Sequence, residues 1–252
     1  MAYASQMASS INTGFLDRAL PDGAGQRRYQ VYVPSDYTPQ RRWQVILFLH
    51  GAGEGGRDAL LPTEYQLGSA IRRNADRFPA IVVFPQVQRQ AGWADADVRF
   101  ALEALCATER EFVTDPDRVY LTGVSSGGKA TWYTLYRHPE RFAAALIVCG
   151  RAGPLTRNGT VVRESDPVVP QADGHPITQL AHAVRGVPVW VFHGDVDPVF
   201  PIEDARAVTA ELQRQGAVVR YTELAGFGHD VWDIAYYSAE VADWLLMQSR
   251  SH

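Results

Sequence analysis

Ser125 lies in Leu121-Thr122-Gly123-Val124-Ser125-Ser126-Gly127-Gly128, after an apolar run and before a stretch with helical spacing. A serine at the tip of a tight strand-to-helix turn is held in a strained backbone conformation. Side chains two positions to either side would collide with that turn, and glycines at 123 and 127 remove them. The turn also aims the first amides of the following helix at the hydroxyl, where the positive end of the helix favours negative charge developing on a bound oxygen. The chemistry served by this pattern is nucleophilic attack on a carbonyl. Ser126 is the rival hydroxyl, but it lacks the symmetric glycine flanks.

Serine attacks only when a base takes its proton, and the base must itself be oriented by a third group. On a strand-turn-helix frame of this kind the chain order is serine, acid, histidine. Phe192-His193-Gly194-Asp195-Val196-Asp197-Pro198-Val199 follows the run Val187–Val191 and offers Asp195 or Asp197 as the acid. Gly226-Phe227-Gly228-His229-Asp230 follows the run Val218–Leu224 and places His229 on a loop able to reach the serine. The other histidines carry weaker patterns. His50 and His193 end strands before a glycine and read as satisfied core or loop groups, His138 ends a helix, and His175, His182 and His252 belong to no motif.

The elements that must position these groups are short apolar runs bounded by turn residues: Tyr29–Val33, Val45–His50, Ala80–Phe84, Val119–Thr122, Ala143–Val148, Val187–Phe192 and Val218–Leu224. They read as strands. Between most of them, apolar residues recur every three or four positions, notably in Val98–Phe112, Lys129–Arg137, Ile202–Arg214 and Val231–Met247, which read as helices. The middle runs are apolar without alternation, as expected when helices cover both faces of a parallel sheet. Gly14–Leu20 and Tyr29–Val33 alternate more and read as an antiparallel hairpin at the sheet edge. Arg151–Pro176, rich in Gly, Pro, Asp and Arg, breaks the rhythm and reads either as a surface excursion or as a cap over the site.

Taken together with Phe48-Leu49-His50-Gly51-Ala52-Gly53-Glu54-Gly55-Gly56 and Asp115-Pro116-Asp117-Arg118-Val119-Tyr120, these motifs resemble the phospholipase/carboxylesterase and dienelactone-hydrolase-like esterases. The chain is especially similar to the branch holding feruloyl esterases and polyhydroxybutyrate-depolymerase-like enzymes, from about Tyr29 to Leu246. The resemblance implies an α/β-hydrolase fold, a mostly parallel sheet of about eight strands with helices on both faces. It implies Ser125 as nucleophile, Asp197 as acid and His229 as base of a carboxylesterase, with the backbone N–H groups of Ala52 and Ser126 as the oxyanion hole. Relatives commonly carry Leu and Met where Val124 and Ser126 stand, which makes this pocket floor smaller and more polar. Dienelactone hydrolases proper use a cysteine nucleophile, and position 125 is serine.

A chain of 252 residues with 46% hydrophobic and 21% charged residues is expected to fold as one domain around a large core. Its net charge of -4, without a basic stripe, argues against nucleic acid as a partner. No leader or membrane-spanning run is visible, so the chain is expected to be cytoplasmic and not inserted in a membrane. Cys106 and Cys149 read as small buried hydrophobes. Gly51-Ala52-Gly53-Glu54-Gly55-Gly56 fits a dinucleotide pattern, but its strand is third in the chain and Glu54 would face a pyrophosphate with like charge. No cofactor or metal is expected. Trp93, Val199 and Trp232 are candidate substrate contacts. The expected substrate is a small or aryl, feruloyl-like ester; the rivals are an acyl thioesterase and a non-catalytic ligand-binding protein of the same fold.

Overall fold

The computed structural model describes residues 12–23, 25–88, 92–154, 156–157, 160–161, 164–170 and 175–250. Its strands are β1 (Gly14–Asp22), β2 (Gly25–Val33), β3 (Trp43–Leu49), β4 (Ala80–Pro85), β5 (Thr114–Val124), β6 (Ala144–Val148), β7 (Thr156–Arg157), β8 (Thr160–Val161), β9 (Val189–Gly194) and β10 (Val219–Leu224). The helices are α1 (Leu61–Glu64), α2 (Gln66–Arg73), α3 (Asp95–Glu111), α4 (Ser126–Arg137), α5 (Pro176–Val184), α6 (Ile202–Arg214), α7 (Trp232–Tyr236) and α8 (Ala239–Met247). An eight-stranded sheet runs in the order β1-β2-β4-β3-β5-β6-β9-β10, and β7 pairs with β8. From β4 to β10 every neighbour is parallel. The expected β1–β2 hairpin is antiparallel, forms one edge, and joins β4 antiparallel.

The unbroken apolar runs are explained by two cores, because successive side chains of a strand point to opposite faces. Val45, Leu47 and Leu49 of β3 pack on one face with α3, α4, α5 and α6. Ile46 and Phe48 of the same strand pack on the other face with residues of α2, α7 and α8. A central parallel strand therefore needs apolar residues at every position.

The span Val231–Met247, read as one helix, is two. Ser238 is extended between α7 and α8, and its hydroxyl accepts the amide of Val241, the capping role that draws serine out of helix interiors. The break brings Tyr236 Oη to 2.8 Å from Thr122 Oγ1 and Tyr237 Oη to 2.9 Å from Ser69 Oγ. Sequence spacing also missed α1 and α2, which are short and interrupted by Pro62, Tyr65 and Gly68. It stopped short of α5, where Ile177, Leu180, Ala181 and Val184 turn one face to the core.

Of the irregular span 151–176, residues 155, 158–159, 162–163 and 171–174 lie outside the described residues. The described part is fastened to α4. Glu164 Oε1 receives Lys129 Nζ at 2.7 Å and an Arg151 guanidinium nitrogen at 2.6 Å, Arg137 donates to the Val168 carbonyl, and Val168 and Val169 are buried. Among the described residues no helix is long and apolar enough to cross a membrane.

Candidate active site

Because β3, β5, β6, β9 and β10 are parallel, the loops after their carboxyl ends gather at one edge of the sheet, where open α/β sheets hold their ligands. The hydrogen-bond ladder continues past the strand ends. Ser125 N–H donates to Val148 O at 2.9 Å, Cys149 N–H to Phe192 O at 2.8 Å and Asp195 N–H to Leu224 O at 3.1 Å. The loops carrying the serine, the carboxylates and the histidine thus start in register.

Ser125 caps α4 with φ 55° and ψ -116°, left-handed backbone that a non-glycine residue adopts only under constraint from its surroundings. The flanking glycines supply that constraint. A Cβ on Gly123 would strike the Gly127 carbonyl, and one on Gly127 would strike the carbonyls of Leu49 and His50. The turn is therefore packed directly against the end of β3.

His229 Nε2 lies 2.8 Å from Ser125 Oγ, and His229 Nδ1 lies 2.7 Å from Asp197 Oδ2. Asp197 Oδ1 accepts the amides of Val199 at 2.7 Å and Phe200 at 3.0 Å. Burial pushes the Asp197 carboxyl up, but His193, His229 and the two amides outweigh it and hold the group well below the usual carboxylate range. This carboxylate is thus ionised wherever the chain is folded at ordinary pH. Of the two carboxylates left open by the sequence, Asp195 points elsewhere: its Oδ1 accepts the Gly226 amide at 2.7 Å, and Val196 N–H donates to Phe227 O at 3.1 Å. Those two bonds tie the β9 loop to the loop that carries His229.

The candidate oxyanion donors both sit at helix starts. Ser126 opens α4 and Ala52 opens a 3-10 turn, Ala52–Glu54, so neither N–H has a partner within its own helix. His50 braces this loop. Its Nε2 accepts the Val87 amide at 3.0 Å while Nδ1 lies 2.6 Å from Gly51 O, and the Trp93 indole donates to His50 O at 2.8 Å. Burial lowers the His50 pKa from 6.5 to about 4. The unfolded chain therefore takes a proton below about pH 6.5 that the folded chain refuses until about pH 4, and stability falls as pH drops through that window. The expected loss is on the order of 3 kcal/mol. Denaturation series across that window check it, and His50→Gln should flatten the dependence.

Two rings flank the imidazole of His229 edge to face, Phe200 at 5.6 Å and Trp232 at 6.1 Å between centroids. Val199 is 53% exposed beside them. Trp93 is buried, and its polar edge is spent on the His50 carbonyl under the loop of Ala52. Phe200 lies in the Val199–Phe200 stretch that the sequence offers as pocket wall, whereas the contact of His193, at the end of β9, with Asp197 has no counterpart in the sequence reading.

Residues 87–251 match the prolyl oligopeptidase family. The carboxylesterase SOBER1 of Arabidopsis thaliana is 23% identical over 74% of this chain and 83% of its own. A poly(3-hydroxyoctanoate) depolymerase of Pseudomonas fluorescens is 25% identical over 90% of this chain and 81% of its own. A thermostable esterase of known structure superposes with a TM-score of 0.77 at 29% identity, covering 94% of this chain. The chain spans 63% of that structure and 21% of a similar secreted protein of Arthroderma benhamiae. The sheet order, the turn at Ser125 and this likeness identify the α/β-hydrolase fold, as the motifs implied. The match covers the serine, both carboxylates and the histidine, and the chain belongs to the prolyl oligopeptidase family.

Proposed function

We propose that this protein is a serine hydrolase that cleaves carboxylic esters through an acyl-enzyme. The observation that carries the reading is the unbroken chain of short contacts from Ser125 Oγ through His229 to the buried Asp197 carboxylate. Asp197 accepts from His229 Nδ1–H, which leaves Nε2 with a free lone pair toward the serine hydroxyl. Ser125 Oγ attacks the ester carbonyl carbon as its proton passes to Nε2, and the carbonyl oxygen takes the negative charge facing the amides of Ala52 and Ser126. The intermediate collapses, the C–O bond to the alcohol breaks, and His229 returns its proton to the leaving oxygen. Water then attacks the acyl-Ser125 carbonyl with His229 again as base, releasing the acid.

Small and aryl esters are the finer proposal. Phe200 and Trp232 beside His229, with exposed Val199, offer an apolar wall to an acyl or aryl group. The named relatives, a carboxylesterase and a polyester depolymerase, favour oxygen esters. Family membership keeps peptides as the second reading. Turnover of matched p-nitrophenyl ester, thioester and prolyl p-nitroanilide substrates decides between them: the ester is expected to be preferred by at least about tenfold in kcat/KM, and a preference for the anilide or thioester would replace this reading.

A further inference from the structure

Resting on the catalytic reading of Ser125, we propose that His193 is a positioning residue of this site: it holds Asp197 Oδ2 in line with His229 and shares that oxygen's negative charge, and so sets the strength of His229 as a base. His193 lies near the carboxyl end of β9 with its side chain wholly buried. Its Nε2 is 2.8 Å from Phe200 O. A carbonyl only accepts, so Nε2 carries the hydrogen. The same nitrogen is 3.1 Å from Asp197 Oδ2, so its N–H dipole also faces the carboxylate.

With it, four N–H groups face Asp197: His229 and His193 on the Oδ2 side, and the Val199 and Phe200 amides on Oδ1. The opposite ring nitrogen, His193 Nδ1, is buried with no partner among the described residues. An unpaired buried polar atom costs about 1–3 kcal/mol, which an apolar side chain of similar volume would avoid. What the histidine supplies in return is its Nε2–H, which bonds Phe200 O and faces the acid, fixing the loop and the carboxylate together. The other charged groups facing this ring are engaged elsewhere. Glu223 of β10, opposite His193 in the sheet, pairs with Arg206, and Asp204 of α6 accepts the amides of Ala152 and Gly153.

Removing the donor concentrates the carboxylate's charge on His229 and frees the carboxylate to turn. The first effect makes His229 hold its proton to higher pH; the second loosens its aim at Ser125. The test is the rate of Ser125 phosphonylation by a fluorophosphonate, followed from about pH 5 to pH 9 in wild type, His193→Leu and His193→Gln. His193→Leu is expected to lower the maximal rate roughly tenfold or more and to move the acid limb up by about half a pH unit or more. His193→Gln, whose amide N–H reaches the Nε2 position, is expected to restore the limb. A Leu variant that is slower at every pH with its limb unmoved overturns the inference. Should that variant not fold, His193→Asn, polar but too short to reach Asp197, is expected to show the same moved limb, and a wild-type limb in it overturns the proposal. Wild-type protein that takes no phosphonate at Ser125 overturns the catalytic reading itself, a result distinct from labelling with unmoved variant limbs.

Discussion

Replacing Ser125 with alanine is expected to lower turnover of a p-nitrophenyl ester by about 10⁴-fold or more, with folding intact. In the proposed mechanism the hydroxyl oxygen becomes bonded to the acyl group, so no neighbour can substitute for it by small movement. Ser126 is adjacent in sequence, but its buried Oγ has no hydrogen-bond partner among the described residues, whereas Ser125 Oγ meets His229 Nε2 at 2.8 Å. If the serine and histidine act as a unit, as proposed, His229→Ala combined with Ser125→Ala should lose little more than Ser125→Ala alone. Steady-state rates and circular dichroism of the three variants check this. Substantial turnover by folded Ser125→Ala protein would remove the nucleophile.

Asp197→Asn is expected to lower kcat on the order of 10³–10⁴-fold, while Asp195→Asn should stay within about tenfold of wild type. An amide at 197 can present its NH2 to His229 Nδ1, which places the ring hydrogen on Nε2 and removes the lone pair needed by the serine. At 195 the side chain only accepts the Gly226 amide, and the carbonyl of an asparagine can accept it too. Parallel kcat measurements at one pH check the pair. A larger loss for Asp195→Asn would transfer the acid's role to that residue.

Much of this arrangement was legible in the residues. Continuous apolar runs marked the central parallel strands because both faces of the sheet are covered there, and the loops after β5, β9 and the more polar edge strand β10 carried the serine, the candidate acid and the histidine in chain order. The glycines at 123 and 127 were legible for a steric reason that the approach of Gly123 to Gly127, and of Gly127 to Leu49 and His50, bears out. What sequence left open was the choice between Asp195 and Asp197, which differ by two positions on one loop and separate only when the turn at Val196 aims one at Gly226 and the other at His229. The short helices α1 and α2 escaped because their signal is broken by proline and glycine, and the division of α7 from α8 because a single serine cap interrupts an otherwise continuous apolar period. His193 read as an ordinary strand-end histidine. Its contact with the acid depends on the loop turning back four residues later, which no local period records.

On the proposed mechanism the strained residue after β5 is a nucleophile activated by His229, and mass-spectrometric peptide mapping of fluorophosphonate-treated protein reads that out. One phosphonate on Ser125, absent in His229→Ala protein over the same interval, is the predicted result; an unmodified Ser125 in folded wild-type protein, or the label on another residue, would contradict it.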